Sequence, residues 1–236
     1  MSRKPQLVFI RPSILCALVL LLAGARQTTS AQAPGSTIPA DFQALTANLD
    51  VLGCGGTPGT VAIFGAGSFP LVMDADGQRA IVAAGRSAVG GRAVAAAHTS
   101  WESTDDGKGQ LWENVALWAG RKPRPVLAFS PGHPAKAALQ RAGFTVRDFR
   151  PDTADSDALK GVDLLFLNLH VGFSAGGSQA VHLFTQQGGG LALTATPWAL
   201  SAQNFRLAQE WLDPYGLAFT GDYATCGQLR ALAETP

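Results

Sequence analysis

One segment of the sequence has the residue pattern of a catalytic serine. The run Gly172-Phe173-Ser174-Ala175-Gly176 fits Gly-x-Ser-x-Gly and lies between an apolar run and a predicted helix. Small residues around a serine permit the tight strand-to-helix turn that exposes a nucleophilic hydroxyl. The competing interpretation is a connecting loop or helix cap. We favour it because a five-residue pattern of this kind recurs easily in a chain with 27 glycines.

A serine hydrolase also needs a histidine base and an acid that orients it. The candidate bases for Ser174 are His98 and His170, and the candidate orienting acids are Glu102 and Asp163. The alternative function predicted from these residues is therefore a small serine hydrolase or peptidase. The function that we favour from the sequence has no catalytic residue.

Polar and aromatic side chains that follow predicted strands are expected at one edge of a sheet. His98, Trp101 and Glu102 follow the strand predicted over residues 92–97, and Trp198 follows a later strand. Ligands of open α/β sheets bind at the carboxyl ends of the strands. Trp101, Glu102 and Trp198 are therefore candidates for a binding pocket. The ordinary alternative is that these side chains cap strand ends or pack in the core.

The first 33 residues have the layout of a secretory signal peptide. Arg3, Lys4 and Arg11 precede an apolar run over residues 14–23, and small and polar residues follow it. This run is about half as long as the roughly 20 apolar residues that a membrane-spanning helix needs. We therefore expect cleavage between residues 25 and 33 and no stable membrane span afterwards. Residues 34–236 are expected to form one domain in the periplasm or outside the cell.

The cysteine count agrees with such a compartment. Cys54 and Cys226 remain after the signal peptide. An even number of cysteines in an exported protein makes them candidates for a disulfide bond. The alternative is two buried free thiols, because a sequence does not give the distance between two cysteines.

Charge and motif content exclude several classes of ligand. The full chain has a net charge of +1. Residues 1–33 hold four basic and no acidic side chains, so their loss leaves 14 of the 18 basic residues. Against 17 acidic residues, this gives a net charge of −3. We therefore expect no nucleic-acid partner. The glycine-rich residues 53–59 match no phosphate-binding pattern, and none of the four histidines belongs to a His-Glu-x-x-His motif. No cofactor and no metal site are predicted.

The order of predicted elements indicates an α/β fold. Short apolar runs separated by turn residues predict hairpins over residues 61–97, and strands then alternate with helices. This alternation favours an open, mostly parallel sheet flanked by helices, with an N-terminal β-hairpin portion. The later predicted strands are residues 126–129, 144–149, 164–169, 191–194 and 217–220. The predicted helices cover residues 40–52, about 107–120, 134–142, 179–187 and 205–212.

Several runs of the chain resemble a known family. They are Gly56-Thr57-Pro58-Gly59-Thr60-Val61-Ala62-Ile63-Phe64-Gly65, Ser68-Phe69-Pro70-Leu71-Val72, Ala97-His98-Thr99-Ser100, Asn114-Val115-Ala116-Leu117-Trp118 and Gly188-Gly189-Gly190-Leu191. Their order over residues 45–205 is similar to the N-terminal region of the TRP channel-associated factor family and of enhancin-like proteins, which are related to mucin peptidases. The resemblance implies a class I glutamine amidotransferase-like, flavodoxin-like three-layer domain. In those proteins a zinc metallopeptidase-like domain follows this region.

The sequence departs from the chemistry of both domains. An amidotransferase needs a cysteine nucleophile at the turn after the strand at 191–194 and a His-x-Glu pair elsewhere. At that turn this chain has Ala195-Thr196-Pro197-Trp198, and the chain contains no His-x-Glu pair. Glutaminase and zinc peptidase chemistry are therefore excluded. The resulting hypothesis is an exported, non-catalytic amidotransferase-like domain, a pseudoenzyme, that binds an unidentified protein or glycan.

Overall fold

The computed structural model describes residues 37–50 and 52–226, together with the backbone of residues 228–229. The predicted signal peptide over residues 1–33 lies outside these ranges. Strands and helices alternate along most of the described chain. The strands are β1 (Leu52–Gly53), β2 (Gly59–Ile63), β3 (Phe69–Met73), β4 (Ala80–Arg86), β5 (Arg92–Ala96), β6 (Val126–Phe129), β7 (Thr145–Asp148), β8 (Leu164–Asn168), β9 (Gly190–Thr194), β10 (Leu217–Tyr223) and β11 (Gln228–Leu229). The α-helices are α1 (Ile38–Thr46), α2 (Lys108–Gly120), α3 (Ala135–Arg141), α4 (Ala175–Gln186) and α5 (Ala202–Leu212).

Nine of the described strands form one open sheet. Its order is β10-β2-β4-β5-β9-β8-β6-β7, and β3 pairs with β4 beside this path. The five strands from β5 to β7 are parallel neighbours, whereas β3, β4 and β5 form antiparallel hairpin pairs. The predicted α/β class, with a mostly parallel sheet and an N-terminal hairpin portion, is confirmed. A separate antiparallel pair joins β1 to β11.

The central strands are buried on both faces, and this places a helical layer on each side of the sheet. In β8, Leu164 and Phe166 belong to one apolar cluster, while Leu165 and Leu167 belong to the other. Successive side chains of a strand point to opposite faces, so a continuous apolar run requires cover on both. Residues of α1, α2 and α3 cover the first face, and residues of α4 and α5 cover the second.

Two helices differ most from their predicted bounds. α1 ends at Thr46 rather than at residue 52, and Asn48 follows with a φ of 59°. A left-handed residue cannot continue a right-handed helix, which explains the earlier end. α4 begins at Ala175 rather than at residue 179, so Gly176 of the Gly-x-Ser-x-Gly segment and the following Gly177 enter its first turn. Glycine is unfavourable in a helix interior, which is why the sequence pattern predicted a later start for this helix.

Cys54 and Cys226 are joined by a disulfide bond, with their Cα atoms 5.6 Å apart. The strands β2 and β10 are antiparallel neighbours, and the bond links the segment before β2 to the segment after β10. It therefore fastens two chain segments that are 172 residues apart in sequence. None of the helices within the described ranges has the length and apolarity required to cross a membrane.

Candidate functional site

The carboxyl ends of three parallel strands bring polar segments to one edge of the sheet. β5 leads to His98, β9 to Thr196 and β8 to His170. Because β5, β9 and β8 are adjacent, the segments that follow them lie side by side. We call the side chains there the carboxyl-edge cluster; its members are His98, Ser100, Glu102, Asn168, His170, Thr194 and Thr196.

Glu102 is the buried acid of the carboxyl-edge cluster. It ends a short 3-10 helix, Thr99–Glu102, and is only 5% exposed. The Thr194 hydroxyl donates to Glu102 Oε1 at 2.5 Å, and the side chain of Asn168 also hydrogen-bonds this carboxyl group. Burial raises the pKa of Glu102, and the two hydrogen bonds oppose that rise. The carboxyl group thus joins the 3-10 helix to the ends of β9 and β8.

His98 caps the start of the same 3-10 helix. Its Nδ1 accepts the backbone N–H of Ser100 at 3.0 Å. The Ser100 hydroxyl lies 2.8 Å from this nitrogen and donates to the Gly55 carbonyl at 2.9 Å. The imidazole lies against Gly56, where a Cβ atom would come within 2.6 Å of Nε2. Burial lowers the pKa of His98, and the proximity of His170 lowers it further.

His170 is held by the neighbouring strand end. The Nε2 atom of His170 accepts the backbone N–H of Thr196 at 3.1 Å, and the backbone N–H of His170 donates to Asn168 Oδ1 at 2.7 Å. Burial lowers the pKa of His170. The structure therefore brings His98, Glu102 and His170, three of the residues selected from the sequence, into one cluster.

The hydrogen bonds of the two histidines define their chemistry. A neutral imidazole has one acceptor nitrogen, and in both rings a backbone N–H occupies it. His98 therefore presents an N–H at Nε2, and His170 presents an N–H at Nδ1. Both rings are arranged as hydrogen-bond donors rather than as general bases. In the described part of the chain, no group of three or more His, Cys, Asp or Glu side chains is placed to hold a metal ion.

The next parallel strand, β6, is followed by two polar residues that the sequence analysis did not assign to the site, Ser130 and His133. The hydroxyl of Ser130 accepts the backbone N–H of Asn168 at 3.0 Å. His133 is 4% exposed, and its ring lies 5.5 and 5.6 Å from the rings of Phe129 and Phe166. Burial lowers its pKa to about 4. The sequence signal for Ser130 was its position directly after a buried strand, and His133 follows three residues later.

Ser174, the candidate nucleophile, is the N-cap of α4. Its hydroxyl accepts the Gly177 N–H at 2.9 Å and donates to the Pro151 carbonyl at 3.1 Å. A Cβ atom at Gly176 or Gly177 would collide with the carbonyl oxygens of Ala154 and Pro151 respectively. The small residues of this segment thus allow the first turn of α4 to pack closely against the loop that precedes β8.

Asp163, one of the two candidate orienting acids, lies at the other end of the sheet. It directly precedes β8, where its carboxylate accepts the backbone N–H of Val126 at 2.9 Å and pairs with Lys122 at 2.5 Å. Its contacts are therefore at the amino ends of β8 and β6, away from His98 and His170.

The two tryptophans proposed for a pocket have opposite environments. Trp101 is fully buried in the core. Trp198 is 44% exposed, and its Nε1 donates to the Thr57 carbonyl at 3.1 Å. The ring of Tyr223, which is 56% exposed, lies 5.8 Å from the Trp198 ring at an interplanar angle of 42°. We call Trp198 and Tyr223 the aromatic pair. The sequence analysis identified Trp198 but not Tyr223.

The segment of residues 54–59 connects the aromatic pair to the carboxyl-edge cluster. At one end, Gly55 and Gly56 contact Ser100 and His98, as described above. Towards the other end, the Pro58 carbonyl accepts the N–H of the residue after Tyr223 at 2.9 Å. The cluster and the aromatic pair therefore border the same segment.

Comparisons with known proteins show that the chain shares its fold with solved structures. No protein-family model matches the chain, and no curated protein matches it. Among solved structures, the IMPa metallopeptidase from Pseudomonas aeruginosa matches 84% of this chain with a TM-score of 0.61 and 17% identity. IMPa in complex with an O-glycopeptide matches 80% of the chain with a TM-score of 0.60 and 18% identity. IMPa in complex with T-antigen matches 84% with a TM-score of 0.58 and 18% identity.

The chain spans only about a quarter of the IMPa chains, 23% to 24% of their length. At this identity the match establishes that the fold is shared. The fold does not by itself determine activity, because unrelated functions occur on the same fold.

Proposed function

We propose that this chain is an exported, non-catalytic binding domain of the enhancin-like type, and that it binds glycans or glycosylated proteins. In this proposal the domain is also related to the amidotransferase-like N-terminal region of TRP channel-associated factors. The fold shared with IMPa supports the enhancin-like part of this proposal. The relation to the TRP channel-associated factors rests on the residue pattern over residues 45–205.

One observation carries the non-catalytic part of the proposal. The acceptor nitrogens of His98 and His170 are both occupied by backbone N–H groups, so neither ring is free to take a proton from a nucleophile. Directly after β9, where the related amidotransferases would place a cysteine, this chain has Ala195. The Ser174 hydroxyl is bonded within the cap of α4.

The ligand class rests on two further observations. The carboxyl-edge cluster presents imidazole N–H donors next to a half-exposed aromatic pair, a combination of polar and apolar surface that suits sugars. The solved relatives of the fold were determined with an O-glycopeptide and with T-antigen. The Cys54–Cys226 disulfide supports export, because such bonds persist mainly in oxidising compartments.

The test treats catalysis and binding separately. The full chain is incubated with a fluorophosphonate probe and analysed by intact mass, with Ser174→Ala and Ser100→Ala as controls. Ser100 is included because its hydroxyl lies 2.8 Å from His98 Nδ1. The same protein is then titrated with a peptide that carries the T-antigen disaccharide and with the identical peptide without sugar.

We expect no covalent adduct, and binding of the glycopeptide in preference to the bare peptide. An adduct that disappears in either serine variant would contradict the non-catalytic assignment and establish a serine hydrolase. Absence of any preference for the sugar would contradict the glycan-binding assignment.

A further inference from the structure

We propose that the aromatic pair, Trp198 and Tyr223, is a stacking platform for the pyranose rings of the glycan. This inference rests on the glycan-binding function proposed above and gives it a location. The platform uses the apolar C–H face of a sugar, whereas the carboxyl-edge cluster supplies hydrogen-bond donors for its hydroxyl groups.

The exposed surface of Trp198 is apolar ring surface. The indole N–H of Trp198 is directed to the Thr57 carbonyl, so its polar atom is already satisfied. The part of Trp198 that remains exposed therefore offers its ring rather than its N–H to a ligand. Tryptophan and tyrosine combine a large apolar ring with a polar atom and are enriched at binding interfaces for that reason.

Both rings are held in place before any ligand arrives. Pro197, next to Trp198, packs so closely on Gly59 that a Cβ atom there would come within 2.8 Å of the proline ring. Tyr223 is paired with the same Gly59 across β2 and β10. Three residues after Tyr223, Cys226 is fastened by the disulfide to Cys54. Binding of a ligand to the pair therefore costs little conformational entropy, because the protein is already ordered there.

The size of the patch favours a sugar over a protein surface. Two aromatic side chains that are about half exposed offer roughly 200 Å². A stable protein interface needs about 800 Å² from each partner. The other large apolar side chains that are exposed in the described ranges lie elsewhere. Phe64 follows the opposite end of β2, Val89 lies between β4 and β5, and Leu117 lies on α2.

Two polar residues, Thr57 and His170, are bonded to the segment around Trp198 and could meet sugar hydroxyl groups. Thr57, which accepts the indole N–H, is exposed in the segment that borders both features. His170 is also exposed, and its Nδ1–H is a donor. Its other nitrogen accepts the backbone N–H of Thr196, two residues before Trp198, so His170 is bonded to the segment that carries Trp198.

The first experiment uses alanine variants of the full chain. Trp198→Ala and Tyr223→Ala are titrated with the T-antigen glycopeptide and with the bare peptide, and their folding is checked by circular dichroism. Phe64→Ala is the matched control, because Phe64 is an exposed aromatic residue at the other end of β2. We expect affinity to fall at least tenfold in Trp198→Ala and several-fold in Tyr223→Ala, with Phe64→Ala unchanged.

A second measurement needs no variant. Trp101, Trp112 and Trp211 are fully buried and Trp118 is 5% exposed, so N-bromosuccinimide should oxidise Trp198 first in the unmodified protein. Mass spectrometry of peptides locates the oxidation. We expect the T-antigen glycopeptide to slow oxidation of Trp198 at least threefold, and the bare peptide to leave it unchanged.

The outcomes separate the two proposals. Glycopeptide binding that persists in Trp198→Ala and does not protect Trp198 would overturn the platform but leave the glycan-binding function intact. Binding of both peptides with equal affinity, lost in Trp198→Ala, would make the pair a protein-docking surface and overturn the sugar assignment. Absence of glycopeptide binding by the unmodified chain would overturn the proposed function and the platform with it.

Discussion

The hydroxyl of Thr194 donates to Glu102 Oε1 across a buried distance of 2.5 Å, joining the end of β9 to the 3-10 helix after β5. Thr194 is fully buried and Glu102 is 5% exposed, so water does not readily replace this bond. The end of β9 therefore serves to satisfy a buried acid.

Replacing Thr194 with valine tests this role. Thr194→Val keeps the shape but removes the hydroxyl, leaving the buried carboxyl group with one donor fewer. We expect the free energy of unfolding at pH 7 to fall by about 1–3 kcal/mol. Chemical denaturation measures the loss. The same change in a Glu102→Gln background should cost less, and an equal cost in both backgrounds would contradict a direct Thr194–Glu102 interaction.

Glu102→Gln should show the cost of burying the acid. Burial raises the pKa of Glu102, so the folded state binds its proton more tightly than the unfolded chain does. This group therefore contributes stability that is present below its unfolded pKa and is lost as pH rises through the folded pKa. We expect Glu102→Gln to gain stability relative to the unmodified protein as pH rises from 4 to 7. Parallel denaturation series at several pH values measure this difference, and a constant difference would contradict the assignment.

His133 should have the opposite pH dependence. Burial lowers its pKa from 6.5 to about 4, so between these values the unfolded chain binds a proton that the folded protein does not. Stability from this group is full above pH 6.5 and falls as pH decreases to 4, by about 3 kcal/mol in total. His98 and His170 contribute with the same sign, and Glu102 with the opposite sign.

His133→Phe isolates the contribution of this one histidine, because its neighbours Phe129 and Phe166 already form an aromatic environment. The variant should lose less stability than the unmodified protein between pH 6.5 and 4. Identical pH profiles for the two proteins would show that His133 is not buried in its neutral form.

The layout of the sheet was predictable because its signals are local. The continuous apolar run at 164–169 predicts a strand buried on both faces, and β8 has its side chains in both apolar clusters. The start of α4 was not predictable in the same way. Its first turn contains glycines that are disfavoured in helices, and only the nearby carbonyls of Pro151 and Ala154 explain why they stand there.

The candidate site was accessible from sequence only as far as strand ends could be identified. That criterion selected His98, Glu102 and His170, which the fold brings to one edge. It could not indicate that backbone N–H groups would occupy the acceptor nitrogens of both rings, because those bonds depend on loop geometry. Nor could it separate buried Trp101 from exposed Trp198, since both simply follow strands.

The glycines of the Gly-x-Ser-x-Gly segment provide a matched pair of substitutions. A Cβ atom at Gly176 would collide with the Ala154 carbonyl, whereas at Gly172 it would meet nothing within 4 Å. We expect Gly176→Ala to lower stability by about 1–3 kcal/mol through overpacking, and Gly172→Ala to change it by less than about 0.5 kcal/mol. Thermal or urea unfolding compares them. Equal effects would contradict the close packing of α4 on the preceding loop.

The Cys54–Cys226 disulfide closes a loop of 172 residues, so its removal should be felt by the whole domain. In the chain-entropy account, a bond that closes so long a loop stabilises the folded state by up to about 5 kcal/mol. We expect the double variant Cys54→Ala/Cys226→Ala to lose most of this stability in urea unfolding.

Dithiothreitol should destabilise the unmodified protein by a similar amount and leave the double variant unchanged. Insensitivity of the unmodified protein to the reductant would mean that the two cysteines are not bonded in solution. Because Tyr223 lies only three residues before Cys226, the double variant should also weaken glycopeptide binding if the bond holds the aromatic pair in place.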